Sequence, residues 1–284
     1  MRCTYDSGVP SGIILKPMKT IGRLLNMGKN SAAMNMAIDE AILAAQKAQP
    51  NPTLRFYGWT QPAFSFGYFQ DITAEVDVDA CRADGIELVK RMTGGGIVVH
   101  GWELTYTLIL PRGTGEMNIS DAYHSIGQSL GKAFQQLGIP TQCYAECADS
   151  PGAVRNSTSR AEANICLTNP AEHDVMSDNK KLAGVSVRRN RNGIMFQGYI
   201  SLDMPPSSIL DRVSKHPEVQ EMLREKSTAI NTEGRSIPRS ALIQAISETL
   251  NLGIAFHSSE LSLSEHVQAK TLAETKYATS GWNF

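Results

Sequence analysis

Apolar residues alternate with polar ones, or form short runs, along several segments of the chain, and both patterns are typical of β-strands. The last three such segments follow one another through short polar turns, which predicts an antiparallel meander. The segments are residues 21–25, 54–56, 64–68, 86–89, 97–99, 104–110, 174–176, 180–187 and 194–202.

Other segments place apolar residues three or four positions apart, which is the spacing of amphipathic helices. They are residues 32–48, 121–137, 238–250 and 265–277, with shorter helical pieces within 71–85 and 207–222. Asn30 or Ser31 is a suitable N-cap for the first helix. Because strands and helices are spread along the chain without a linker, we predict one α+β domain at residues 21–284, after an irregular leader at residues 1–20.

Three consecutive glycines, Gly94, Gly95 and Gly96, lie between two of the predicted strands. Glycine accepts positive φ angles and lets other groups approach the backbone closely. With Arg91 before the glycines and His100 after the second strand, the stretch would suit a substrate lying against exposed backbone. It is not a P-loop, because no G-K-[ST] follows. A hairpin turn without a ligand fits the same pattern equally well.

Composition and charge exclude several classes of protein. The chain has 284 residues, 42% of them hydrophobic, and a net charge of −1, so no general field attracts nucleic acid. No apolar run approaches the roughly 18 residues of a membrane span, and the N-terminal residues do not resemble a secretory signal. These features predict a cytoplasmic protein that binds neither nucleic acid nor membrane.

The five cysteines are odd in number and irregularly spaced, which indicates free thiols in a reducing compartment. Cys143 and Cys147 have no second Cys or His pair nearby, and the six histidines lack metal-ligand spacing, so we predict no metal site. Cys81 lies at helical spacing from Val78 and is predicted to be a buried, unreactive thiol.

Two groups of residues receive structural rather than chemical interpretations. Asp39 and Glu40 could form a catalytic pair, but a solvent-exposed acidic helix face is the favoured interpretation. The aromatic residues between positions 54 and 69 are not interleaved with basic ones, so core packing is favoured over the stacking of bases.

Cys166 and Lys181 are the candidate pair for covalent chemistry. A thiol attacks an acyl group as its thiolate, which a nearby ammonium favours or a neutral amine can generate. If both residues lie on neighbouring strands, they can face each other. Spacing alone favours a different interpretation, with Cys166 as a core thiol and Lys181 as a surface charge. No G-x-S-x-G motif supports a serine triad.

Several stretches resemble the biotin/lipoate A/B protein ligase superfamily. The most specific are R-x-T-G-G-G-x-x-x-H at residues 91–100 and K-L-A-G at residues 181–184, and further similarity covers residues 33–43, 54–70 and 103–106. The resemblance runs in order through most of the chain. It implies a single α+β catalytic domain with a mixed or antiparallel sheet, flanked by helices and holding a tunnel for an acyl chain.

The resemblance also implies roles for individual residues. Lys181 matches the lysine that contacts the acyl carbonyl, and Cys166 is similar to the catalytic cysteine of the octanoyltransferase branch. Substrate-binding positions are implied at Arg91, Gly94, Gly95, Gly96, His100 and Gly184. The family pattern is not followed at Val185, Val187, Gln197 and Tyr199, where bulkier or different side chains stand.

We therefore expect an octanoyltransferase of lipoate biosynthesis. It would move octanoyl from acyl-carrier protein through a cysteine thioester to a lysine of a lipoyl domain, such as the glycine cleavage H protein or a 2-oxoacid dehydrogenase E2. No cofactor is expected, because each step starts from a thioester. A basic cluster of Lys180, Lys181, Arg188, Arg189 and Arg191 is the best local surface for docking acidic carrier domains, although a solvated turn explains the three arginines equally well.

Three alternatives remain open. They are an ATP-dependent lipoate–protein ligase, an amidotransferase that moves octanoyl between lipoyl-bearing proteins, and a non-catalytic lipoyl-domain binding protein. The cysteine and the short chain after about Glu260 favour transferase over ligase.

Overall fold

The computed structural model describes residues 20–113, 119–143 and 174–284. In these residues the chain forms eleven strands, numbered here in chain order. They are β1 (Thr20–Asn30), β2 (Thr53–Trp59), β3 (Ala63–Phe66), β4 (Glu87–Lys90), β5 (Val98–His100), β6 (Glu103–Pro111), β7 (Gln142–Cys143), β8 (Val175–Ser177), β9 (Lys180–Arg189), β10 (Gly193–Ser201) and β11 (Ile254–Ser258).

The same residues form nine α-helices and one π-helical turn. They are α1 (Ala32–Ala45), α2 (Ile72–Glu75), α3 (Val78–Ala83), α4 (Ile119–Gln136), α5 (Ser207–Leu210), α6 (Pro217–Lys226), α7 (Arg239–Thr249), α8 (Leu263–Leu272), the π-helical turn (Ala273–Tyr277) and α9 (Ser280–Asn283). Among these described helices, none combines the length and apolar composition needed to cross a bilayer.

Eight strands form one large mixed sheet in the order β11-β1-β2-β6-β10-β9-β8-β7. The strands β11, β1 and β2 run parallel to one another, and every other pairing in this sheet is antiparallel. Helices cover both faces, α4 and α7 on one and α1 and α8 on the other. The prediction of an α+β domain with a mixed sheet flanked by helices is confirmed.

The parallel pair β1–β2 depends on the helix between the two strands, because a parallel connection needs a crossover. Ser31 caps this helix by accepting a hydrogen bond from the backbone N–H of Met34 at 3.3 Å. The edge strand β11 was not predicted. It is five residues long and only Ile254 within it is fully buried, so its sequence carries a weak hydrophobic pattern.

The predicted meander is confirmed, since β8, β9 and β10 are consecutive antiparallel neighbours. Asp178 and Asn179 form the two-residue turn between β8 and β9, with φ angles of 49° and 60°. Positive φ at both central positions matches the right-handed twist of the paired strands. The turn places Lys181 two residues into β9.

The remaining strands form a second, small sheet in the order β4-β3-β5. The hairpin interpretation of the glycine-rich stretch is therefore wrong, because β4 and β5 do not pair with each other. They lie on opposite sides of β3, parallel to it on one side and antiparallel on the other. The three glycines must span the width of β3 and reverse the chain direction.

Some predictions fall on residues that the structure does not describe. The leader at residues 1–20 lies outside the described residues except for Thr20, where β1 begins. Cys147 and Cys166 also lie outside them.

Asp39 corrects the interpretation of α1 as carrying an exposed acidic face. Its side chain is fully buried, and its carboxylate is 2.6 Å from Arg55 Nη1. It also accepts hydrogen bonds from Tyr57, Thr107 and Gln197 at 2.8 to 3.0 Å. Burial, followed by the charge of Asp39, raises the pKa of Tyr57 well above its ordinary value, so the phenol remains a donor. The carboxylate thus connects α1 to β2, β6 and β10.

Replacement of Arg55 by Met removes the cation from this buried pair. We expect a loss of about 3–5 kcal/mol in the free energy of unfolding, because the carboxylate of Asp39 stays buried without its counter-charge. Urea denaturation measures this. Arg82→Met is the matched control, since Arg82 and its partner Asp79 are 58% and 93% exposed and should contribute little. Equal effects of the two substitutions would contradict the account.

Candidate acyl-binding site

A pocket lies between the large sheet and the small one. Its wall combines apolar and aromatic side chains with a few polar groups, which is typical of a small-molecule site. The wall consists of Met36, Tyr57, Trp59, Ser65, Arg91, Val98, His100, Thr105, Gly184, Val185, Ser186, Gln197, Gly198 and Tyr199. It therefore includes three of the predicted site residues, Arg91, His100 and Gly184, but not Lys181.

Arg91 holds the glycine-rich loop in place from within the protein. Its Nη2 donates to the backbone carbonyls of Gly94 and Gly96 at 2.8 and 2.7 Å, and its Nη1 donates to the backbone carbonyl of Ser65 at 2.9 Å. The side chain is only 4% exposed. The guanidinium thus fixes the loop, but Gly94, Gly95 and Gly96, which were predicted to bind substrate, are not among the residues of the pocket wall.

Glycine is required in this loop by the close approach of two backbones. A β-carbon at Gly67, just after β3, would lie 2.0 Å from the carbonyl oxygen of Gly95. Gly95 itself has a φ of +91°, which favours glycine. The sequence prediction of a close backbone approach is therefore correct, but the approaching group is another part of this chain.

His100 is part of a buried polar chain at the pocket wall. One ring nitrogen lies 2.7 Å from Ser65 Oγ, and the other lies 2.6 Å from Glu103 Oε1. Burial lowers the pKa of His100, so the imidazole is neutral near pH 7. Burial would raise the pKa of Glu103, but interactions with His100, Thr105 and the backbone outweigh it and lower that pKa. The ring also stacks on Trp59 at 3.8 Å.

Gln197 explains one departure from the family pattern. Its Nε2 donates to Asp39 at 2.8 Å, and its Oε1 accepts from Thr93 at 2.8 Å. Ser186 in turn donates to Thr93 Oγ1 at 3.0 Å. The glycine-rich loop is therefore connected through Thr93 and Gln197 to the buried carboxylate under α1.

Lys181 is a buried residue, so the interpretation of this lysine as a surface charge is wrong. It is 2% exposed, and its Nζ lies 2.6 Å from Asp174 Oδ2. Gly184 provides the space for this pair, since a β-carbon there would lie 2.7 Å from Lys181 Cε and 3.1 Å from Asp174 Oδ1. Because Gly184 is part of the pocket wall, the ammonium lies beside one end of the pocket.

Tyr199, a second departure from the family pattern, stands directly opposite Gly184 in the β9–β10 register. The ring of Tyr199 thus lies on the face of the β9–β10 pair where Gly184 has no side chain. The ammonium of Lys181 lies 5.9 Å from the centroid of the ring. Tyr199 therefore forms the pocket wall next to the lysine.

Sequence reasoning missed several of these residues. Asp174 is the first residue of the predicted meander but carries no motif. Ser65 is the one polar residue in the apolar strand β3, and that exception could have drawn attention to it. Tyr57 and Trp59 were predicted as core residues and are indeed buried, but they also form part of the pocket wall.

The predicted basic cluster is changed by the structure. Lys181 is buried and cannot belong to a docking surface, whereas Arg189 and Arg191 are exposed. The guanidinium of Arg188 lies 5.1 Å above the ring of Tyr68. Within residues 20–113, 119–143 and 174–284, no three His, Cys, Asp or Glu side chains are placed to hold a metal ion.

Cys81 behaves as predicted. Its thiol is buried, and burial raises its pKa to about 11, so it does not form a thiolate near neutral pH. The pairing of Cys166 with Lys181 stays a prediction, because Cys166 lies outside the described residues.

The fold and the pocket together define a class, that of α+β domains similar to lipoate-protein ligases. A lipoate-protein ligase A bound with ATP is 26% identical with a TM-score of 0.71, covering 93% of this chain and 98% of that one. A bipartite lipoate protein ligase from Thermoplasma acidophilum, solved in a study of that ligase and its E2 lipoyl domain, is 25% identical with a TM-score of 0.73, covering 93% and 96%.

The sequence comparison defines the family. Residues 31–251 match the lipoyl protein ligase A/B catalytic domain. The chain is 33% identical over 279 residues to the octanoyltransferase LipM of Symbiobacterium thermophilum, and 30% identical over 278 residues to that of Bacillus subtilis. Each match covers 94% of this chain and 99% of the relative. The chain belongs to the lipoyl protein ligase A/B catalytic-domain family, as its motifs predicted.

Proposed function

We propose that this chain is an octanoyltransferase of lipoate biosynthesis, which moves octanoyl from acyl-carrier protein to a lysine of a lipoyl domain. The full-length similarity to octanoyltransferases supports octanoyl transfer. The observation that carries the proposal is the buried Lys181, which lies beside one end of a largely apolar pocket.

The pocket has the right extent for a medium acyl chain. Its wall runs across four neighbouring strands, from Gly184 on β9 through β10 and β6 to Tyr57 on β2. Three strand spacings of about 4.8 Å give a length of about 14 Å. The acyl carbonyl lies at the β9 end, next to Lys181, and the methyl end of the chain points towards Met36 and Tyr57.

Cys166 is the proposed nucleophile. Its thiolate attacks the carbonyl of the octanoyl thioester, a new C–S bond forms, and the carrier leaves as a thiol after taking up a proton. The ammonium of Lys181 favours the thiolate and stabilises negative charge on the carbonyl oxygen. The acceptor lysine then attacks this second thioester as a free amine and receives the chain as an amide. Since both steps start from a thioester, neither needs ATP.

A surface next to the pocket is suited to acidic carrier and lipoyl domains. Phe69 is 86% exposed, and it follows Tyr68, on which Arg188 stacks. Arg189 and Arg191 extend the positive charge along the turn between β9 and β10. An exposed aromatic side chain together with exposed arginines suits a docking surface for an acidic partner.

We also propose that residues 21–284 act as one catalytic domain after the leader at residues 1–20, and that the protein works in the cytoplasm. The continuous sheet supports the first statement, because β1 and β11 pair the two ends of the described chain. The free thiol of Cys81 is consistent with a reducing compartment.

The decisive experiment incubates the full chain with octanoyl-acyl-carrier protein and measures its intact mass. We expect one octanoyl adduct, which peptide mapping places on Cys166, and we expect its transfer to an apo lipoyl domain. Cys166→Ala should abolish the adduct and lower transfer at least about a hundredfold, because the covalent route is lost. Cys81→Ser is the control and should retain both.

Undiminished transfer by Cys166→Ala would exclude the thioester route. Transfer that requires ATP and free lipoate would identify a ligase. A lipoyl-domain donor that replaces the carrier would identify an amidotransferase, and binding of partners without transfer would identify a non-catalytic protein.

A second substitution tests the position of Lys181. Gly184→Ala introduces a β-carbon that collides with Lys181 Cε, so the ammonium must move away from the pocket. We expect the rate of adduct formation to fall by about tenfold or more, with a small change in melting temperature. Gly28→Ala is the matched control, because a β-carbon there meets nothing within 4 Å. Equal rates for the two variants would show that this position of Lys181 is not required.

A further inference from the structure

A second cavity shares the side chain of Tyr199 with the acyl pocket, since Tyr199 forms part of the wall of both cavities. Apolar side chains such as Val99, Trp102 and Met204 form much of its wall, and Met204 is 40% exposed. The cavity therefore leads from the surface to the ring that stands next to Lys181.

An unsatisfied hydroxyl lies in this wall. Ser227 is 6% exposed, and its Oγ is buried without a hydrogen-bond partner. Its backbone forms a parallel bridge with that of Lys181, which places Ser227 close to β9. A buried polar group of this kind is unusual in a folded protein and calls for a missing partner.

The charged groups of the cavity are both acidic. Asp203 is exposed, and it accepts a hydrogen bond from Asn231 at 3.0 Å. The carboxylate of Glu103 lies deeper and is bound by His100, Thr105 and the backbone. No Lys or Arg is among the described residues of this wall. Apolar walls with carboxylates fit an alkylammonium group and disfavour an arm that carries a phosphate.

We propose that this second cavity receives the side chain of the acceptor lysine, with its amine near Ser227 and its charge attracted by Asp203. The inference rests on the proposed function and adds the route by which the acceptor enters. Donor and acceptor then approach Lys181 through two different cavities. The acyl donor and the acceptor lysine therefore need not occupy the same channel in turn.

The chemistry of this step is balanced without a further reactant. The ammonium is captured at Asp203 and releases one proton to water at the mouth of the cavity. The neutral amine donates a hydrogen bond to the hydroxyl oxygen of Ser227 and attacks the thioester carbonyl with its lone pair. The C–N bond forms, the C–S bond breaks, and the second amine proton passes to the released thiolate of Cys166.

The test separates the two half-reactions of the full-length protein. Octanoyl-enzyme is first formed from octanoyl-acyl-carrier protein, and its decay is then followed by intact mass against increasing Nα-acetyl-lysine amide. This small amine removes any contribution from docking of a whole lipoyl domain. We expect Asp203→Asn to raise the half-saturating amine concentration about threefold to fivefold, and Asp203→Lys by about tenfold or more. Neither should slow formation of the octanoyl-enzyme.

Asp79→Asn is the matched control, since it removes another exposed carboxylate, on α3, and should change neither half-reaction. Ser227→Ala provides a second readout. Because the hydroxyl has no partner in the free protein, its removal should leave the melting temperature unchanged or raised, while transfer to the amine slows. A merely structural role for Ser227 would not produce that combination.

Each other outcome overturns the inference in a recognisable way. If octanoyl-enzyme forms and the Asp203 variants bind the amine as wild type does, the acceptor enters elsewhere and the proposed function stands. If Asp203→Lys changes acylation by the carrier and not the amine step, the cavity receives the donor arm. If no octanoyl-enzyme forms at all, the proposed function itself fails.

Discussion

The position of α1 on the large sheet depends on one buried carboxylate, that of Asp39. It faces Arg55, Tyr57, Thr107 and Gln197, so one side chain of α1 is bound to three adjacent strands of the large sheet. A buried charge is tolerated only when it is paired and fully hydrogen-bonded, and this requirement fixes the position of the helix on the sheet. That helix and those strands form one wall of the acyl pocket.

The same constraint extends to the glycine-rich loop. Gln197 accepts a hydrogen bond from Thr93 next to the loop, and Arg91 holds the loop through the carbonyls of Gly94 and Gly96. The side of the pocket that faces the small sheet is therefore organised by backbone and buried polar groups before any ligand arrives. Preorganisation of this kind would lower the cost of aligning the proposed thioester beside Lys181.

The sequence predicts most of the strands and helices but fewer of the pairings and contacts between them. The meander and its turn follow from period-two patterning and from Asp178-Asn179, both of which are local signals. The order β4-β3-β5 could not be predicted, because strand pairing across distant segments is decided by packing rather than by any one segment. The motifs indicated Arg91, His100, Lys181 and Gly184, since these residues lie in unusual local sequence. Asp174 gave no such signal, because its ion pair with Lys181 forms only in the folded chain.

We propose that the acyl chain lies across four strands, with its carbonyl beside Lys181 and its methyl end at β2. The most direct measurement delivers an octanoyl thioester with a diazirine at the methyl end, irradiates the complex and maps the label by mass spectrometry. The account predicts labelling of Met36, Tyr57 or Trp59, which form that end of the pocket. Labelling confined to exposed residues such as Phe69 would contradict it.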